Sequence, residues 1–206
     1  DDNSPDGTGD KVYNLINKYS KKLFLLRRKQ KEGLGAAYVE GFLWAIKHNY
    51  DFIFEMDADF SHNPSELLPM LELLNSNVDV VVGSRYIKGF NVVNWPLTRI
   101  IISYLASLYV RLITLMPVKD PTAGFVGYKR DVLISINLEQ IKFVGYAFQI
   151  EMKYKSWLNG FTIQEYPIVF INRKYGKSKM DKSIILEALR GVLYLRLNKK
   201  IFSKKK

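Results

Sequence analysis

The sequence predicts an α/β fold: a mainly parallel sheet flanked by helices, with an amphipathic helix near the C-terminal end. Three observations carry this. Short apolar runs at residues 52–56 and 78–83 have the length and the β-branched or aromatic content of buried strands. Longer segments with helical apolar spacing lie between and beside them, and strands joined through helices imply right-handed crossovers in one sheet. Residues 183–197 set Ile184, Ile185, Leu189, Val192 and Leu193 around Arg190 and Arg196, an amphipathic pattern. At 206 residues, 48% hydrophobic, the chain suffices for one core, so residues 1–197 read as a single domain and 198–206 as a basic tail.

The elements follow in order. Asp1-Asp2-Asn3-Ser4-Pro5-Asp6-Gly7-Thr8-Gly9 is a turn and helix-entry sequence leading to a short helix at 10–20. A strand is expected at 22–26, a helix at 35–48, and the strand 52–56 ends at Asp57 and Asp59. Residues 61–65 supply cap candidates for a helix at 65–74, and the strand 78–83 stops two residues before Arg85. Open α/β sheets bind ligands at the carboxyl ends of their strands, where Asp57, Asp59 and Arg85 all fall.

Asp57-Ala58-Asp59 places two carboxylates at period-2 spacing where a strand exits. Oxygen ligands at a strand end suit Mg2+ or Mn2+, which keep positions open for substrate phosphate oxygens. The same residues suit an ordinary turn, since Ser61, Asn63 and Pro64 follow at once. A calcium loop fits poorly, with His62 at its sharp-turn glycine position and Leu68 at its bidentate glutamate position. An aspartyl-phosphate nucleophile wants a second acidic pair downstream, and beyond Asp131 the acids are isolated.

The net charge of +11 is concentrated at one end. Residues 173–206 carry twelve Lys or Arg against Asp181 and Glu187, or +10, and the first 172 residues carry +1. A neutral body with a basic end argues against nucleic acid as partner and for a local anionic one, a phosphate group or an acidic lipid surface. With no Cys, disulfides and thiolate metal sites are excluded. His48 and His62 lack the spacing of a zinc site; His62 is near enough to the acidic pair to support it.

Residues 96–116 are largely apolar, with Arg99, Ser103, Ser107 and Arg111 recurring at i, i+4 to form one narrow polar stripe. The uncharged stretch 100–110 falls short of the about 20 residues that span a bilayer. The segment therefore reads as an interfacial or acceptor-facing helix, or as a core helix with two structural arginines. With the basic C-terminal end, it predicts peripheral attachment at a membrane surface, any integral insertion coming from a partner chain.

Seven motifs in order narrow the reading. They are Asp1-Asp2-Asn3-Ser4-Pro5-Asp6-Gly7-Thr8, Gly33-Leu34-Gly35-Ala36-Ala37-Tyr38, Met56-Asp57-Ala58-Asp59-Phe60-Ser61-His62 and Gly83-Ser84-Arg85-Tyr86, then Asp120-Pro121-Thr122-Ala123-Gly124-Phe125, Gly145-Tyr146-Ala147-Phe148-Gln149-Ile150-Glu151-Met152 and Arg173-Lys174-Tyr175-Gly176-Lys177-Ser178-Lys179-Met180. Together they resemble family-2 glycosyltransferases of the Rossmann-like GT-A fold, and among them the polyprenol (dolichyl) phosphate mannose synthases. The resemblance implies inverting transfer of mannose from GDP-mannose to a polyprenyl phosphate at the cytoplasmic membrane face, with Mg2+ or Mn2+. It implies that Asp57 and Asp59 hold the metal and donor diphosphate, that Asp2 contacts the nucleoside, and that Arg85 and Arg99 face phosphate groups. Arg173 and Lys179 match the loop closing over the acceptor phosphate, making Asp59, Arg85 and Arg173 the catalytic candidates. Ser61, His62 and Glu151 are candidates for the surrounding shell. The family's first strand and its Thr-Tyr-Asn-Glu-like segment would precede Asp1, so the donor pocket is expected to be incomplete in these residues.

The chemistry agrees with the resemblance. A phosphate-monoester acceptor is anionic near neutral pH and needs neutralisation and alignment more than a strong base. Carboxylates for a metal and guanidinium forks for the acceptor are what two mutually repelling phosphates require. Glu151 either orients an arginine or senses the acceptor, or is a helix-surface acid. The alternatives are a UDP-sugar donor, such as UDP-glucose, or an inactive fragment that keeps only lipid-phosphate and membrane affinity.

Overall fold

Strand β2 (Val80–Ser84) is buried at every residue, which places it inside a sheet covered on both faces. The computed structural model describes residues 1–173 and 182–202. Within them, α1 (Thr8–Ile16) and α2 (Leu34–Lys47) precede β1 (Phe52–Glu55), and α3 (Leu67–Leu74) leads to β2. β3 (Val92–Val93), α4 (Leu97–Thr114), β4 (Val126–Lys129), α5 (Arg130–Ser135) and α6 (Tyr146–Leu158) follow. Then come β5 (Ile163–Pro167), β6 (Phe170–Ile171), α7 (Lys182–Leu197) and α8 (Lys199–Phe202).

The main sheet has the order β1-β4-β2-β5. β1, β2 and β5 share one direction, as predicted, but β4 runs against its neighbours β1 and β2. Two of the three pairings are therefore antiparallel. Gly127 of β4 stands opposite Phe54 of β1, and a Cβ there would collide with the Phe54 ring. The reversal has a functional consequence, because β4 begins at the end of the sheet where β1 and β2 finish. Residues 120–125 thereby meet the turns that follow β1, β2 and β5.

Val80 and Val82 face one side of β2 with Phe42, Ile53, Tyr128, Phe148 and Met152. Val81 faces the other with Met70, Leu74, Phe125 and Ile168. Each of these wholly buried valines contributes about 1.5–3 kcal/mol through burial. α2 approaches α6 closely at its start, where Gly33 has φ 101° and an added Cβ would lie 2.8 Å from the Val144 side chain.

Residues 22–26, expected as a strand, pair with no strand among the described residues. This segment meets Asp1 instead, through the Asp1 backbone nitrogen donating to Leu26 O (2.7 Å) and Arg28 N donating to Asp1 O (2.8 Å). That is one rung of a parallel ladder, too little to constitute a strand.

α4 packs against α7 with its polar stripe turned inward. Ser107 is buried, Ser103 accepts from the Tyr86 hydroxyl at 2.7 Å, and Arg99 donates to Asn172. Leu97, Ile101, Ile102, Leu105 and Leu112 are exposed. By length and composition alone α4 is long and apolar enough to cross a membrane, and 17% of it is buried. This exceeds the expectation drawn from the uncharged stretch 100–110, because the whole helix stays apolar on average although it contains Arg99 and Arg111.

Candidate active site

Four connections converge at the carboxyl ends of β1, β2 and β5. The turn after β1 carries Asp57 and Asp59, β2 runs directly into Arg85, and residues 120–125 lead into β4. Beyond β5, strand β6 delivers Asn172 and Arg173. β3 and β6 pair in parallel, which fixes Asn172 beside Asn94 and Trp95.

The acidic turn is internally braced. Ser61 N donates to Asp59 Oδ1 at 3.0 Å, and Asp57 N donates to His62 Nδ1 at 3.1 Å. The second bond requires Nδ1 to be an acceptor, so the imidazole is neutral with its proton on Nε2. Burial, and then the charge of Arg85, push the His62 pKa down to about 4. The ring lies between Phe125 and Phe170, at centroid distances of 5.1 and 5.3 Å. Ser61 is likewise buried, and its carbonyl accepts from Ile171 N. Both residues support the acidic pair from behind.

Asp57 and Asp59 are electrostatically unequal. Burial, and then the neighbouring Asp59 charge, raise the Asp57 carboxyl above its ordinary range, while Arg173 and Arg85 pull it back. Burial acts in the same direction on Asp59, but hydrogen bonding from Ser61 and the charge of Arg173 outweigh it and leave the pKa lowered. Two carboxylates that repel one another, with only oxygen donors, suit a hard divalent cation. Among the described residues no third His, Cys, Asp or Glu joins them.

Three arginines form one electrostatic cluster, and Arg85 and Arg173 of it act on the acidic turn. Arg85 is buried and bound to Asp120 through Nε–Oδ2 (2.7 Å) and Nη2–Oδ1 (2.6 Å), and its Nη2 also donates to Thr122 Oγ1 at 2.9 Å. Burial alone would lower its pKa; the Asp120 carboxylate more than offsets this. Its guanidinium is thus held from the side of residues 120–122. Arg99 lies 3.9 Å from the Trp95 ring centroid, and its Nη1 donates to Asn172 Oδ1 at 3.0 Å. Burial, and the charges of Arg173 and Arg85, lower its pKa. Arg173 Nε reaches Asp59 Oδ2 at 3.6 Å, with both side chains about one-third exposed. The positive cluster is therefore only partly neutralised.

The remaining candidates have other partners. The Asp2 carboxylate accepts from Arg28 at 3.1 Å, and Arg28 also pairs with Glu32 and Glu40. Glu151 is wholly buried; Oε2 accepts from Lys142 N and Phe143 N, and Oε1 pairs with Lys155 at 2.9 Å. Among the described residues it contacts no arginine, and it anchors residues 142–143 to α6. Lys179 and residues 203–206 of the basic tail lie outside the described residues.

A buried polar network behind the acidic turn had no role assigned from sequence. Glu55 accepts from the Tyr128 hydroxyl (3.1 Å) and from Gln149 Nε2 (3.0 Å). Lys153 Nζ donates to Gln149 Oε1 (3.0 Å) and to Ala123 O (2.7 Å). Burial raises the Glu55 pKa and lowers that of Lys153, and each opposes the other's shift. Through Ala123 the network grips the segment that carries Asp120 and Thr122, and hence Arg85. The signals available were a lone acid in an apolar strand run and a Gln–Lys pair at i, i+4.

An α/β sheet whose Asp-x-Asp turn faces basic residues across the strand ends defines the GT-A glycosyltransferase fold. The chain belongs to glycosyltransferase family 2: the model of that family, "Glycosyl transferase family 2", matches residues 1–136. A polyprenol monophosphomannose synthase from Mycolicibacterium smegmatis is 41% identical over 189 residues, covering 92% of this chain and 71% of that protein. An undecaprenyl-phosphate mannosyltransferase from Micrococcus luteus is 42% identical over 192 residues, covering 93% of this chain and 78% of the other. Among solved structures, glucosyl-3-phosphoglycerate synthase from Mycobacterium tuberculosis with phosphoglyceric acid superimposes with a TM-score of 0.61 at 15% identity, over 91% of this chain and 65% of that one. That likeness supports the fold.

Proposed function

We propose that this protein transfers mannose from GDP-mannose to a polyprenyl phosphate, with inversion at the anomeric carbon. The observation that carries the reading is the carboxylate pair Asp57 and Asp59 beside Arg85 and Arg173, with Arg99 joining those arginines in one cluster, an arrangement that would serve two phosphates at once. Relatives named for polyprenol monophosphomannose and undecaprenyl-phosphate mannose support the sugar and the acceptor class. Asp57 and Asp59 would hold a divalent Mg2+ or Mn2+, which when bound neutralises the leaving diphosphate.

Arg99 and Arg173 receive the acceptor phosphate and offset its repulsion from the donor. An acceptor phosphate oxygen attacks the anomeric carbon from the face opposite the diphosphate; the new C–O bond forms as the bond to the diphosphate breaks, and GDP departs. No side chain need remove a proton, because the acceptor is already ionised. Arg85, fixed by Asp120 and Thr122, supplies positive charge beside Asp57. Alignment and charge stabilisation then provide the acceleration.

The exposed apolar face of α4 favours work at a membrane surface, with α4 and the basic C-terminal end against the cytoplasmic leaflet. The test follows labelled sugar from GDP-mannose or UDP-glucose into an organic-extractable lipid, with Mg2+, Mn2+ or chelator. Label from GDP-mannose with metal is the expected result. Label from UDP-glucose alone would reassign the donor, and none from either with the full-length protein would overturn the reading.

A further inference from the structure

Phe60, directly after the acidic pair, combines two unusual properties. Its φ is 64°, a left-handed backbone conformation rarely taken by bulky side chains, and its side chain is 89% exposed. The turn is braced on both sides, by Ser61 N on Asp59 Oδ1 and by Asp57 N on His62 Nδ1, so the conformation is imposed and the ring is held outward. A glycine would serve such a turn without strain. Strain at ligand-facing turns is where side-chain display commonly has a use.

Exposed apolar residues lie nearby along the backbone. Ile171 N donates to Ser61 O at 3.2 Å, placing β6 against the residue that follows Phe60. Ile171 stands opposite Val93 in the β3–β6 pair, so both side chains lie on one face of that ladder. They are 43% and 40% exposed, whereas the preceding Phe170 turns inward toward His62 and Trp95. The next residues along the same strand direction are Asn172, which holds Arg99, and Arg173, which reaches Asp59. Exposed Phe60, Ile171 and Val93 therefore lie on neighbouring stretches of backbone beside Arg173, which reaches Asp59.

We propose that these three residues form an apolar shoulder that receives the hydrocarbon of the acceptor immediately beyond its phosphate. The inference rests on the acceptor being a prenyl phosphate and identifies where its first isoprene units lie. An anionic head on Arg99 and Arg173 with an apolar tail over Phe60 and Ile171 matches the amphiphile in charge and polarity. The partner is a prenyl phosphate; the sugar of the donor is the competing occupant.

The full-length protein is assayed with geranyl phosphate as acceptor, comparing wild type, Phe60→Gly and Phe60→Leu. Phe60→Gly relieves the backbone, so it should melt at or above the wild-type temperature. It should raise KM for geranyl phosphate about fivefold or more through lost apolar contact, with Phe60→Leu restoring most of the affinity. Donor KM and inhibition by inorganic phosphate should stay within about twofold, since the arginines are untouched. An unchanged geranyl phosphate KM in Phe60→Gly, or a rise in donor KM in its place, overturns the shoulder while leaving the transferase reading intact. Failure of the wild type to use any prenyl phosphate overturns both.

Discussion

Arg85 and Asp120 form a buried two-point ion pair, with bonds of 2.7 and 2.6 Å and the Asp120 side chain fully enclosed. They are 35 residues apart and meet because β4 runs antiparallel between β1 and β2. Asp120→Ala would leave a guanidinium buried without its counter-charge. The expected loss of stability is about 3–5 kcal/mol, read from urea unfolding. Asp120→Asn keeps part of the hydrogen bonding and should lose less. Both should lower transfer activity, because Arg85 loses the support that fixes it beside Asp57.

Asp59→Asn should reduce metal-dependent transfer by about 10²-fold or more while leaving the melting temperature near that of wild type. Asp57→Asn should be equally damaging to activity but should raise the metal-free melting temperature, by about 1–3 °C, because it removes a carboxylate held at a raised pKa by burial and by Asp59. Added Mn2+ should stabilise the wild type and neither variant. Retained activity in Asp59→Asn would end its role as a metal ligand.

Much of this site was legible in the sequence because strand-end turns are local. The acidic pair, Arg85 and the helix–strand alternation each follow from patterns spanning fewer than twenty residues. What escaped depends on distant pairing. Nothing near residue 126 announces that β4 runs backwards, so the partnership of Asp120 with Arg85 was invisible. Glu151 was open to a site role or a helix-surface one for the same reason: the amides of residues 142 and 143 that it binds are brought to it by the bend before α6. The outward apolar face of α4 was partly visible, but the direction in which Arg99 points is set by Trp95 and Asn172, the latter 73 residues away.

Lys153 and Glu55 should be strongly coupled. Lys153→Met leaves Glu55 without a nearby cation and removes the donor to Ala123 O, with an expected loss of about 3–5 kcal/mol. Glu55→Gln leaves Lys153 charged in a dry interior and should also destabilise. The Glu55→Gln/Lys153→Met double variant should lose less than the sum of the two, by about 1–3 kcal/mol in a double-mutant cycle. Additive losses would show that the two charges do not support one another.

His62 sets part of the acid stability. Its folded pKa of about 4 lies below the ordinary 6.5. As pH falls through 6.5 the unfolded chain takes up a proton that the folded protein refuses until about 4. Stability from this residue is therefore present above that window and is lost across it. His62→Gln, whose side-chain oxygen can still accept from Asp57 N, should flatten the decline. Urea unfolding at several pH values between 6.5 and 4.5 measures it, and parallel curves for the two proteins would refute the assignment.

Arg99 separates charge from geometry. It lies against Trp95 at 3.9 Å and donates to Asn172, an arrangement that depends on a planar guanidinium. Lysine preserves the positive charge but not the stack or the fork. Arg99→Lys should therefore raise the acceptor KM by about tenfold, with kcat and donor KM changed much less. Arg99→Ala should raise the acceptor KM further and weaken the salt dependence of acceptor binding, since it removes a charge that draws in the phosphate. If Arg99→Lys matches the wild type, the residue acts as a point charge and its seat on Trp95 is packing alone. If instead donor KM rises in both variants, the arginine serves the diphosphate, and the acceptor phosphate must rest on Arg173.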